Sequence, residues 1–140
     1  MIESAAKAVP RGRNELILVV DDESTVRDLT TAVLTRHGYR VVSGADGVEA
    51  IALFTQHAAE IRLVVTDVNM PNLDGHALAL VLKRLQPKVK ILAVTGLGSG
   101  DAFSSAKPAE FAAVTLQKPF TTEALLLAVN RLLNVERKAG

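Results

Sequence analysis

Short runs of Val, Ile and Leu recur along the chain, separated by stretches whose apolar residues fall at helical spacing. Leu16–Val20 runs into Asp21-Asp22, Leu63–Thr66 into Asp67, Ile91–Val94 into Thr95, and Val114–Gln117 into Lys118. Hydrophobicity that is continuous over four or five residues marks a strand covered on both faces, as in a parallel sheet. A less apolar run, about Arg40–Ala45, supplies one more strand. The first helix is predicted to open with Ser24 as N-cap and stop at Gly38, with Val26, Leu29, Val33 and Leu34 on one face. The second opens at Asp46, with Glu49 three residues on as in a capping box, and turns Val48, Ile51 and Phe54 to the sheet. The third starts near Asp74-Gly75, carries Leu78, Val81, Leu82 and Leu85, and stops before Pro87. The last follows Pro119, capped by Thr121 or Thr122, and carries Leu125, Leu126, Val129, Leu132 and Leu133. Between Asp101 and Ala106 only a short helix is expected, because Gly96, Gly98, Gly100 and Pro108 crowd it, and Gly costs roughly 1 and Pro roughly 3 kcal/mol relative to Ala in a helix interior.

Alternating strands and helices of this kind predict a doubly wound α/β fold: a five-stranded parallel sheet with helices on both faces. The flavodoxin-like order 2-1-3-4-5 sets strands one and three side by side at the switch point. In such sheets ligands bind beyond the carboxyl ends of the strands, where the runs above place Asp21, Asp22, Asp67, Thr95 and Lys118. Three carboxylates, a hydroxyl and an ammonium in one crevice are equipment for a divalent cation and a phosphoryl group.

Length narrows the architecture further: 140 residues suit one domain. Residues 1–14 read as a linker or tail, 15–134 as the domain and 135–140 as a polar C-terminal tail. A net charge of +1 gives no field that argues for nucleic acid or membrane binding. There is no cysteine, so there are no disulfides, which fits a reducing compartment, and the expected location is the cytoplasm. No signal-peptide core or membrane-spanning run is found. His37, His57 and His76 lack metal-ligand spacing, Asp74 reads as a helix cap, Phe103 and Phe111 as packing residues, and Arg11 and Arg13 as linker charge. A phosphate loop of the G-x-x-x-x-G-K-[ST] type and a G-x-G-x-x-G fingerprint are both missing. An aspartate-nucleophile phosphatase would show D-x-D after strand one, whereas Asp21 is followed by Asp22 and Glu23.

With V-V-D-D-E, the run D-V-N-M-P-N-L-D-G around Asp67, Thr95-Gly96 and Lys118-Pro119-Phe120 in order, the chain resembles the receiver domain of two-component response regulators over about Glu15 to Leu133. V-T-D-V-N-M-P, the T-G-L after strand four and the glycine-rich stretch beyond it look most like receivers of hybrid sensor histidine kinases; a stand-alone regulator is the alternative, and an interaction module independent of phosphorylation ranks below both because all the core groups remain. The resemblance implies that Asp67 accepts phosphate from a phosphohistidine donor, a sensor histidine kinase or a histidine phosphotransfer protein. It implies Mg²⁺ as cofactor, held by Asp22, Asp67 and the backbone carbonyl of Asn69, with Asp21 acting mainly through water. Thr95 would bond the phosphoryl group, Lys118 would neutralise it, and the Lys118-Pro119 bond would be cis. The domain would catalyse only its own phosphorylation and dephosphorylation, and a monomer is expected. Three residues before the lysine, receivers carry an aromatic that turns inward on phosphorylation; here Thr115 stands there. It is too small for that relay, so the signal is expected to be read at the site loops or passed to another protein's histidine rather than through dimerisation on the helices flanking the last strand.

Overall fold

The computed structural model describes residues 10–70, 73–96, 112 and 114–139. Five strands, β1 (Leu16–Val20), β2 (Arg40–Gly44), β3 (Ile61–Asp67), β4 (Lys90–Thr95) and β5 (Val114–Gln117), form one sheet. All four pairings are parallel and the order is β2-β1-β3-β4-β5, as the sequence predicts. Among the described residues four helices accompany them: α1 (Ser24–Arg36), α2 (Gly47–His57), α3 (Gly75–Leu85) and α4 (Thr122–Ala139). The helix predicted over Asp101–Ala106 lies outside the described residues.

The period-two geometry of a strand deals its side chains to two cores. Ile17 and Val19 of β1, Leu63 and Val65 of β3, and Leu92 and Val94 of β4 face α1 and α4, meeting Val33, Leu34, Leu125, Leu126, Val129, Leu132 and Leu133. Leu16, Leu18 and Val20, with Val64 and Ile91, face α2 and α3 and meet Ala50, Phe54, Leu78, Ala79 and Leu82. Ile61 breaks the alternation and joins the second core, because the β1–β3 register shifts between Leu16 and Ile17. Burying each such side chain stabilises the fold by roughly 1.5–3 kcal/mol before entropy is counted.

Several sequence expectations shift by a residue or a face. Glu23, not Ser24, is the N-cap of α1, and it makes no side-chain cap hydrogen bond. Leu29 is 64% exposed and Thr30 takes its place in the interior. In α2, Val48 is likewise 64% exposed, while Ala50 and Phe54 are buried and Ile51 packs partly against them. A larger residue than Ala50 on that face would hold the helix farther from the sheet. The caps of the next helices follow the sequence more closely. Asp46 accepts the Glu49 N–H at 2.8 Å, and Glu49 Oε1 accepts the Ala45 N–H at 2.6 Å, so the box closes one residue earlier than its usual form. Asp74 accepts from Ala77 at 2.9 Å and Thr121 from Ala124 at 2.9 Å, each cap worth about 1 kcal/mol. Leu85, at the end of α3, is about half exposed. Helix α4 continues through Ala139.

Gly38 has φ 97°, the left-handed stop expected after α1. A Cβ there would also strike the Gly12 carbonyl at 2.8 Å. Residues 12 and 14 are tied to this turn, the Gly12 N–H donating to His37 O at 2.7 Å and that of Asn14 to Gly38 O at 2.8 Å. Among the described residues no helix is long and apolar enough to cross a membrane.

Candidate functional site

The carboxyl ends of β1, β3, β4 and β5 converge on one cup. Asp67 is the last residue of β3, flanked by β1 and β4, and it is buried. Asp21, directly after β1, is buried too, whereas Asp22 is exposed. One carboxylate oxygen from each of these three lies within 4.8 Å of the others. Lys118, directly after β5, enters the same cup. Its Nζ is 3.0 Å from Asp21 Oδ2, 3.2 Å from Asp67 Oδ2 and 3.0 Å from Glu23 Oε1.

Backbone geometry fixes these groups. The Lys118 N–H donates to the Thr95 carbonyl at 2.7 Å, and the Lys118-Pro119 bond is cis, as the resemblance implied. Asp21 donates its N–H to Gly44 O at 3.2 Å, accepts the Glu23 N–H on Oδ1 at 2.9 Å, and has its carbonyl held by Arg27 Nη1 at 2.7 Å. Asp67 Oδ1 accepts the Asn69 N–H at 3.1 Å. The Val68 N–H continues the strand pairing to Val94 O at 2.9 Å. Gly75 is required here by close approach rather than by a positive φ: a Cβ would lie 2.7 Å from Asp67 O and 3.0 Å from Val68 Cα. That contact brings the start of α3 against the backbone of Asp67, where the Gly75 N–H donates to Val68 O at 2.9 Å.

The electrostatics follow from burial and charge. Burial pushes the Asp67 carboxyl above its ordinary value; the Lys118 ammonium and the Asn69 N–H oppose this, and the nearby Asp21 charge reinforces it. Burial would lower Lys118, but hydrogen bonds to Glu23 and Asp21 and the charges of Asp67 and Asp21 outweigh it, and Lys118 lies above the ordinary lysine value. Lys118 is therefore charged throughout the physiological range.

Asp21, Asp22, Asp67 and Lys118, all predicted from sequence, are thus brought together. Asn69 lies beside them through its N–H. The Thr95 hydroxyl reaches the neighbouring Gly96 carbonyl at 3.5 Å, the outer limit of a hydrogen bond, rather than the Asp67 carboxylate, whose hydrogen bonds among the described residues come from Asn69 and Lys118. Thr115 sits on β5 paired with Ala93 and is partly buried. Sequence reasoning missed Glu23 as a partner of Lys118 and Arg27 as the clamp on Asp21. A helical first turn after V-V-D-D-E was the only available signal for either.

The donor set suits a hard cation. Clustered carboxylate oxygens, one of them on the solvent-exposed Asp22, are what Mg²⁺ takes, and the mutual repulsion of three acids gives a cation reason to bind. A doubly wound parallel sheet with such a cup at its switch point is suited to a cation and a phosphoryl group. The family model for the response regulator receiver domain matches residues 17–130. The sensor kinase CckA of Brucella abortus is 35% identical over 127 residues, covering 91% of this chain and 13% of that protein. Sporulation initiation phosphotransferase F of Bacillus subtilis is 30% identical over 121 residues, covering 86% of this chain and 94% of that one. Among solved structures, a response regulator receiver domain protein from Clostridium thermocellum superposes with a TM-score of 0.80 at 31% identity, covering 90% of this chain and 99% of that one. The response regulator TrrA of Thermotoga maritima, in complex with Mg²⁺ and BeF, gives 0.72 at 28% identity, covering 84% and 98%. The chain belongs to the response regulator receiver domain family of two-component signalling.

Proposed function

We propose that this receiver takes a phosphoryl group from a phosphohistidine donor onto Asp67. The observation that carries the reading is the placement of Asp67: a buried carboxylate at a central strand end, 3.2 Å from a lysine ammonium and within reach of two further acids. An ionised carboxylate is already a nucleophile, so no general base is needed. An Asp67 oxygen bonds to phosphorus as the phosphorus–nitrogen bond breaks, and the imidazole of the donor leaves with the electron pair. Lys118 offsets the charge of the phosphoryl oxygens, and the Asn69 N–H orients the carboxylate that attacks. Thr95 reaches the phosphoryl group after its hydroxyl swings from the Gly96 carbonyl. Asp21, Asp22, Asp67 and the Asn69 carbonyl would hold Mg²⁺, which supplies neutralisation of the oxygens in transfer.

The donor is a sensor histidine kinase or a histidine phosphotransfer protein, and the domain works in the cytoplasm. The favoured setting is the receiver segment of a hybrid sensor histidine kinase, supported by the 35% identity to CckA across most of this chain. A stand-alone regulator is the second reading, supported by the near full-length match to phosphotransferase F. Thr115 in place of an aromatic supports transfer onward to another histidine over an output through dimerisation.

Incubation with Mg²⁺ and a small acyl phosphate tests the core of the proposal. One hydroxylamine-labile phosphate per chain, mapped to Asp67 and lost in Asp67→Asn, is the expected result. No incorporation, or label on another residue, overturns it.

A further inference from the structure

The Lys118 ammonium has three N–H donors, and each has a carboxylate: Asp21, Asp67 and Glu23. Two of these acids are buried and belong to the cup. Glu23 differs. Its side chain is 61% exposed, and it stands outside the trio whose oxygens converge for a cation. Its backbone is fixed nonetheless, the N–H donating to Asp21 Oδ1 at 2.9 Å and the carbonyl accepting the Arg27 N–H at 2.9 Å. The side chain therefore starts from a rigid point at the head of α1 and reaches back over the cup to Lys118.

We propose that Glu23 is a positioning residue that holds Lys118 in the unphosphorylated state and gives it up when a phosphoryl group arrives. The inference rests on Asp67 being the phosphoacceptor. A phosphoryl group moves the negative charge outward from Asp67, and Lys118 must follow it. With three donors already engaged, a new acceptor displaces an old one. Releasing Asp21 would cost a buried carboxylate its ion pair with Lys118 where no water replaces it, whereas the exposed Glu23 returns to water at little expense. Glu23 is therefore the contact that yields. By competing with the phosphoryl group for Lys118, it slows loading of the site, and removing it should speed loading by about two- to fivefold, the worth of one exposed ion pair.

The full chain carries the test, with acetyl phosphate and Mg²⁺ as donor and ion, in the parent, Glu23→Gln, Lys118→Ala and the double variant. Glu23→Gln should incorporate phosphate about two- to fivefold faster than the parent and have no effect in the Lys118→Ala background. Equal rates in parent and Glu23→Gln overturn the inference. So does an acceleration that persists without Lys118, because Glu23 would then act only as a rim charge repelling the donor. A parent that takes no phosphate at Asp67 defeats the underlying reading instead. A second readout needs neither donor nor metal: in ¹⁵N-lysine-labelled protein, the Lys118 ammonium signal should shift in Glu23→Gln and exchange its protons faster. An unchanged signal overturns the contact itself.

Discussion

Asp22→Ala separates the two halves of the acidic cup. Asp21 and Asp67 are buried and share Lys118, while Asp22 is exposed with a carboxylate oxygen within 4.8 Å of both. At that distance two unit charges repel by about 1 kcal/mol in water and about 3.5 kcal/mol at an effective dielectric near 20. Exposure puts the share of Asp22 toward the lower figure. Its removal also deletes an acid beside the N-terminus of α1, which is worth about 0.3–1 kcal/mol in the other direction. The two nearly cancel, so without metal the variant should melt within about 3 °C of the parent. With Mg²⁺ at ten times its dissociation constant the parent gains about 1.4 kcal/mol by linkage. For a domain of this size that is a rise of roughly 5 °C. The variant, missing one of three carboxylates, should show less than about a third of that rise, since its dissociation constant lies well above the ion concentration used. Circular dichroism melts are the assay, there being no Trp to report binding by fluorescence. Sodium chloride of matched ionic strength is the control, because screening alone relaxes acid–acid repulsion. An equal rise in parent and variant, or one that sodium chloride reproduces, refutes the metal assignment.

Three further outcomes follow from the same geometry. Asp67 is raised above its ordinary value of 3.8, so the folded state binds this proton more tightly than the unfolded one, and ionised Asp67 subtracts stability above its folded pKa and nothing below its unfolded value. Metal-free Asp67→Asn should therefore melt above the parent at pH 7, with the advantage shrinking as pH falls toward the unfolded carboxylate range; an advantage that grows on acidification contradicts this. Gly75→Ala should lose at least about 1 kcal/mol despite the better helix propensity of Ala, because its Cβ would meet Asp67 O at 2.7 Å; urea unfolding at parental stability would show that the close approach is absent. Leu29→Ala should change stability by less than about 0.5 kcal/mol while Leu34→Ala costs about 2–5 kcal/mol, since the first side chain is exposed and the second is fully buried; comparable losses in the two would reverse the facing of α1.

The strands and the cup were legible because both leave strong marks in one dimension. A strand buried on two faces must be apolar throughout, and the chemistry sits where that run ends, so Asp21, Asp67, Thr95 and Lys118 announced themselves by position. Helix faces are weaker signals. On α1 the inward row uses Thr30, a polar residue with a methyl group, and Leu29 beside it misleads any count of hydrophobicity. On α2 the row uses Gly47, Ala50 and Phe54, since close packing favours small residues there, and Val48 points away. The Glu23–Lys118 pair spans 95 positions of sequence and joins an exposed helix cap to a strand end. No periodicity encodes such a pair; it exists only because the sheet order brings the carboxyl ends of β1 and β5 toward one cup.

Asp21 and Asp22 are neighbours in sequence with opposite surroundings, one buried and one exposed. Every polar group of Asp21 is engaged: N–H, carbonyl and both carboxylate oxygens. Asp22 stands in solvent. One side of the cup is thus tied by hydrogen bonds and the other is open to solvent, and an open side sets no fixed radius for a cation held there. Discrimination between ions of different size then falls to the energy each needs to shed its own water. Divalent ions such as manganese or calcium should enter this cup in proportion to their readiness to dehydrate.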